Sequence, residues 1–240
     1  MDAHSGNVAV VTGAGGGIGR AMASALVASG AETWLVGRTA ATLGETARTC
    51  GPGTTRVHAA DLTRTQDVDA LLGELEREAG RVDVFVHAAG VIAHGRVEDL
   101  SVEDLDRQYA ANIRAFYVLA QRLLPLLRQG PGEIVVVNSS IVSGPRAATG
   151  QFAATQHALR ALTDTLRQEV NEDGIRVLSV FPGRTATSRQ ERLYAEEGRS
   201  YRPEVLLQPE DLAAIVLSAL ALPRTAEVTD IQIRPMLKSY

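Results

Sequence analysis

The 240-residue chain holds a single cysteine, Cys50, and only 4% aromatic residues. One cysteine permits no intrachain disulfide and no CxxC metal pair, which fits a reducing compartment. So few aromatics argue against stacking platforms for single-stranded nucleic acid. A surplus of positive charge is also lacking: 24 basic residues against 28 acidic ones leave a net charge of −4. Nucleic acid is therefore not an expected partner. No apolar run is long enough to span a bilayer, so a membrane is not expected either. The opening stretch, MDAHSGNVAVVTG, has no basic n-region and runs straight into a glycine loop. It does not read as a signal peptide, and the expected location is cytoplasmic. The five histidines, at 4, 58, 87, 94 and 157, show no HxxxH-type spacing. No metal is expected. Acidic pairs such as Glu98-Asp99 and Glu103-Asp104 read as solvated helix starts, where acids suit the helix dipole. What is present is a 45% hydrophobic composition, enough for a large core.

That apolar content comes in alternating periods. Short β-branched runs at 7–12, 33–36, 55–59, 82–87, 133–138, 175–181 and 229–233 read as strands. Helical patterns at 18–29, 40–49, 66–79, 102–129 (interrupted late by Pro125), 151–170 and 209–221 lie between them. Consecutive apolar residues in the strands suit a parallel sheet covered on both faces. The expected architecture is a single α/β domain over 1–240, a Rossmann-type doubly wound parallel sheet with helices on both faces. The polar stretch 184–203 breaks the rhythm after a strand end, where ligands bind in such sheets. It reads as a substrate lid or as a solvated insertion.

The first strand runs into Thr12-Gly13-Ala14-Gly15-Gly16-Gly17-Ile18-Gly19. Glycines allow a tight turn and close approach to a pyrophosphate, and the helix that follows offers amide donors and a positive dipole end. Gly13, Gly15, Gly17, Ile18 and Gly19 are therefore candidate cofactor residues. The second strand ends in Gly37-Arg38. Gly37 removes the acid an NAD site places there, and Arg38 presents a planar donor fork suited to a 2′-phosphate. NADP(H) is the expected cofactor, with Asp61 and Leu62 bordering the adenine.

With these motifs the chain resembles the short-chain dehydrogenase/reductase family over nearly its full length. The glycine loop matches that family's TGxxxGxG, and His87-Ala88-Ala89-Gly90 stands where the family has NNAG. Asn112 stands at a helix asparagine, and Asn138-Ser139-Ser140 at the strand end that carries the catalytic serine. Pro182-Gly183 with Thr187 is similar to PGxxxT beside the nicotinamide carboxamide. The resemblance makes Ala89, Gly90, Pro182, Gly183 and Thr187 cofactor residues. It also makes Ser140 (Ser139 as the fallback) and Asn112 catalytic ones. It further implies a four-helix homodimer or homotetramer interface, to which the repeat Leu105, Tyr109, Ile113 and Phe116 would contribute; burial within the monomer is the other reading of that stripe.

The chain departs from the family at its YxxxK signature. Phe152 stands at the tyrosine position and Gln156 at the lysine position. In the family the phenol moves a proton at the carbonyl oxygen and the lysine holds the nicotinamide ribose. Phe152 has no titratable proton, and Gln156 can hydrogen-bond a ribose but carries no charge. General acid–base help is worth about 10²–10⁴ in rate, so ordinary carbonyl reduction should be severely impaired unless another group substitutes. His87, His94, Tyr194 and Tyr201 are candidates with a blander packing role available. His157 and Tyr109 read as packing residues. No glycine-flanked serine elbow exists, so hydrolase chemistry is not indicated.

Three functions fit. The first is an NADP(H)-dependent oxidoreductase with an altered proton donor, acting on a small carbonyl or imine. The second is a redox-neutral biosynthetic enzyme (cyclase, dehydratase or isomerase) in which the cofactor is structural or absent. The third is a non-catalytic binding protein.

Overall fold

The computed structural model describes residues 4–237. Seven strands form one sheet, all pairs parallel: β1 (Val8–Thr12), β2 (Glu32–Gly37), β3 (Thr55–Ala59), β4 (Val84–His87), β5 (Glu133–Val137), β6 (Arg176–Pro182) and β7 (Asp230–Ile233). The order across the sheet is β3-β2-β1-β4-β5-β6-β7. The helices are α1 (Gly17–Ala28), α2 (Ala40–Thr49), α3 (Thr65–Glu78), α4 (Val102–Tyr109), α5 (Ala115–Leu127), α6 (Gly150–Val170), α7 (Ser188–Glu196) and α8 (Pro209–Leu220).

The five inner strands are buried on both faces because they alternate apolar residues between two cores, while the edge strands β3 and β7 are largely exposed or half-buried. Val8 and Val10 of β1 join Phe85, Ile134 and Val136 in a core that takes in α3 and α5. Ala9 and Val11 point the other way and join Val84, Val86 and Val135 in a core packed by α1 and α8. The doubly wound fold expected from the sequence is therefore present. The strand order reverses its sense between β1 and β4, which places a crevice at their C-terminal ends.

Two features depart from the sequence reading. The pattern over 102–129 is not one helix: Ala110–Arg114 widens to π turns between α4 and α5, and α5 runs through Pro125 to Leu127. The stripe expected on it splits, with Ile113 and Phe116 buried and Leu105 and Tyr109 exposed. Tyr109 is not a core residue. The second departure is α7, which makes the stretch after Arg184 helical. Thr187 caps it, its hydroxyl accepting from the Gln190 amide at 3.1 Å. Thr187-x-x-Gln190 is a capping-box spacing, the signal by which sequence alone could have found this helix.

Candidate active site

A cleft of about 550 Å³ opens at the switch point, between the glycine loop, the ends of β2, β4, β5 and β6, and α7. Its floor depends on glycine. A side chain at Gly13 (φ +70°) would stand 2.8 Å from the Ala88 carbonyl, and one at Gly19 would stand 2.2 Å from the Gly13 oxygen. The first contact joins β1 to the loop after β4; the second holds α1 tight on its own entry loop. Gly17, also at positive φ, packs beneath the Thr187 methyl at what would be 3.0 Å from a Cβ. α1 starts here with no side-chain cap and no acid in its first turn. Its amide donors and positive dipole end therefore face the cleft uncompensated.

Arg38 lines the cleft at the end of β2 and makes no hydrogen bond or ion pair with any described residue. Asp61 lies across from it, committed to a turn. The Thr63 hydroxyl (2.7 Å) and amide (3.0 Å) hold its carboxyl below the usual range, aided by Arg38 and Arg64. Leu62, Ile18, Ala89 and Gly90 complete this part of the wall.

At the other end stand Ser139, Phe152 and Gln156, with Pro182, Gly183 and Thr187 beside α7. The π turns bury the Asn112 side chain, and its bonds are internal. Its Oδ1 accepts from the Val91 amide at 2.7 Å; its Nδ2 donates to the Val91 carbonyl at 2.9 Å and to Thr155 Oγ1 at 3.0 Å. Asn112 thus clamps the loop that follows Gly90. The Gln156 side-chain amide has no partner among the described residues, although the residue is buried at the cleft wall. Ser139 accepts from the Ile141 amide at 3.2 Å, leaving its hydroxyl proton unassigned. This corrects the choice within the serine pair: Ser139 lines the cleft, whereas Ser140 opens the 3₁₀ turn Ser140–Ser143 and is not on the cleft wall.

None of the candidate substitutes reaches the cleft. His87 is fully buried, its Nδ1 3.0 Å from Thr12 Oγ1, its ring flanked by Phe85 and Phe116. Burial lowers its pKa to about 4, so it is a neutral packing histidine. Tyr194 is buried, with the Arg184 and Arg199 guanidinium groups 4.7 and 5.0 Å from its ring and Tyr201 edge-on at 5.7 Å. His94 is off the cleft wall, and His157 is exposed rather than packed, on a helix position that does not share the Gln156 face. Among the described residues the cleft wall contains no His, Cys, Tyr or Lys. The chain's one lysine, Lys238, lies outside the described residues. Unforeseen from the sequence are Arg189, Gln190, Arg192 and Leu193, which α7 contributes to the wall.

The sequence profile of the short chain dehydrogenase family matches residues 7–198. The chain belongs to that family. An uncharacterized oxidoreductase of Staphylococcus aureus (strain USA300) is 32% identical over 232 residues, 95% of this chain and 97% of the relative. An alcohol dehydrogenase from the archaeon Thermococcus sibiricus, solved with 5-hydroxy-NADP, superposes with a TM-score of 0.87 at 27% identity, covering 98% of each chain. A metagenomic short-chain oxidoreductase in complex with NADP gives 0.85 at 28% identity, over 98% of this chain and 100% of that one. Among the described residues no helix is long and apolar enough to cross a membrane.

Proposed function

We propose that this short chain dehydrogenase is an NADP(H)-dependent oxidoreductase that works without the family's tyrosine and lysine. The observation that carries this is Arg38, an unpaired guanidinium at the end of β2 beside the uncapped start of α1. Two solved relatives hold NADP-type nucleotides, which supports the same class of cofactor here. When bound, the nicotinamide supplies the hydride chemistry itself. The chain's part is binding and orientation. Arg38 pairs with the 2′-phosphate, the α1 amides with the pyrophosphate, and the free Gln156 amide with the nicotinamide ribose. Ser139 places a hydroxyl at the substrate end, and Phe152 gives that end an apolar wall.

The substrate class follows from what the wall lacks. The Asp61 carboxyl is held below the usual range, and among the described residues the wall offers no His, Cys, Tyr or Lys to exchange a proton near neutrality. An iminium carbon accepts hydride without a proton at the neighbouring atom, and it suits this site better than a ketone. The segment 184–203 acts as its lid. The same lack also weakens the redox-neutral reading, because cyclases, dehydratases and isomerases commonly need an acid or base. A non-catalytic role as a dinucleotide-binding protein is the second reading, favoured by that one observation.

The test is reduction of a fixed-charge iminium by NADPH across pH 6–9. A flat profile of kcat/KM is expected; a slope or bell centred near neutrality would contradict the reading. Phe152→Tyr with Gln156→Lys should add pH-dependent ketone reduction, by up to about 10²–10⁴-fold over the parent.

A further inference from the structure

The NADP(H) reading gives the arginines of α7 no role. Its second residue, Arg189, spans the cleft: Nη2 donates to the Gly90 carbonyl at 2.6 Å, a contact between residues 99 apart in sequence. Arg189, Gly90 and Arg38 all line the same cleft. Arg192 lies one helical turn further along the same wall. No carboxylate bonds any of the three arginines among the described residues. Arg189 is an exposed residue, and its bond to the Gly90 carbonyl lies at the exposed side of the cleft. Desolvation beside the cleft, then Arg192, then Arg38, lowers its affinity for its proton. Like charges are thus gathered with Asp61 the one acid of the wall among the described residues, and Asp61 is engaged by Thr63. A neutral carbonyl is a poor partner for a cation set among other cations. Hydrogen bonds to an ionised acceptor are roughly twice as strong as those to a neutral one, and a bidentate phosphate fits the guanidinium fork.

We infer that Arg189 is a second phosphate-binding arginine of the dinucleotide site, carried on α7, which exchanges its bond to the Gly90 carbonyl for a cofactor phosphate. The inference rests on the NADP(H) reading and adds to it. Arg38 reads the cofactor from the fixed sheet. Arg189 reads it from the segment that covers the cleft, so nucleotide binding and the seating of α7 are one event.

The experiment is a titration of the wild-type chain, Arg189→Met, Arg189→Lys and Arg38→Ser with NADPH and with NADH, followed by nicotinamide fluorescence at two salt concentrations. Arg189→Met should weaken NADPH at least tenfold and flatten its salt dependence, with an unchanged melting temperature. Arg189→Lys should recover part of the loss, since it restores the charge but not the fork. The NADH arm tells which phosphate is involved. An equal loss with NADH marks the pyrophosphate, and a loss confined to NADPH marks the 2′-phosphate; either supports the inference. Wild-type affinity in Arg189→Met, with NADPH still bound tightly, would overturn it and leave the NADP(H) reading standing. If the wild-type chain binds neither nucleotide, the NADP(H) reading itself falls, and this inference with it. Should Arg189→Met melt early, its salt dependence decides: an NADPH salt slope as steep as that of the wild-type chain would overturn the inference.

Discussion

His87 carries no partner on its Nε2 and sits between Phe85 and Phe116 with no exposed surface. Its pKa, lowered by burial to about 4 against 6.5 in an unfolded chain, makes it an acid liability. Below pH 6.5 the unfolded chain takes up a proton that the folded one refuses until about pH 4. Stability contributed by neutral His87 is therefore complete above 6.5 and is lost as pH falls through that window, by roughly 3 kcal/mol in total. His87→Asn should remove this loss. The check is urea unfolding of both proteins at several pH values from 7 to 4, where the variant should gain on the parent as pH falls. A constant difference would contradict the assignment. At this scale much of the site was legible. Arg38 follows from where β2 must end, whereas the roles expected of the Phe152 and Gln156 positions come from the resemblance to the family's YxxxK segment. The serine was not. One residue of spacing separates Ser139 from Ser140, and only the 3₁₀ turn after Ser139 decides which faces the cleft. The bonding of Asn112 was equally hidden, because its partner Val91 lies in a loop whose path no periodicity describes.

α7 is held from both ends. Thr187 caps its start, and Glu197 just past its end receives the Arg184 guanidinium at 2.8 Å on each carboxylate oxygen and Arg199 at 3.3 Å. Thr187→Ala removes the cap and should cost the helix about 1 kcal/mol. Amide hydrogen exchange over Ser188–Glu196 should then quicken roughly fivefold, while β1 and β4 keep their protection. Uniform loss of protection would mean that α7 is integral to the core instead of a separately opening cover. The sequence showed this element only as a polar interruption, because a nine-residue helix with one buried residue, Tyr194, has almost no apolar stripe to read. The π turns were invisible for a related reason. An apolar repeat fixes the face of α4 and α5 to within a residue, and Ala110–Arg114 accommodates a one-residue slip without breaking it.

The sheet was the most legible part of the molecule. Its β-branched runs are short, closely spaced and separated by helices with one apolar face, so parallel order and two covered faces follow from the pattern. Self-association is a further proposal at this scale. Val102, Leu105, Tyr109 and Tyr117 leave an apolar face exposed on α4 and α5. Light scattering should give at least twice the 25.5 kDa chain mass, and Leu105→Glu with Tyr109→Glu should reduce it to one chain. A monomeric parent would contradict the proposal. The central claim, however, concerns what the cleft at the switch point holds. It is tested most directly by titrating the purified chain with NADPH and NADH, alongside Arg38→Ser. The account predicts NADPH-selective binding. It also predicts that Arg38→Ser weakens NADPH by about 10–100-fold, the range for a charged hydrogen-bonded contact, and leaves NADH nearly unchanged. No binding at millimolar nucleotide, or equal affinity for both in the parent chain, would contradict it.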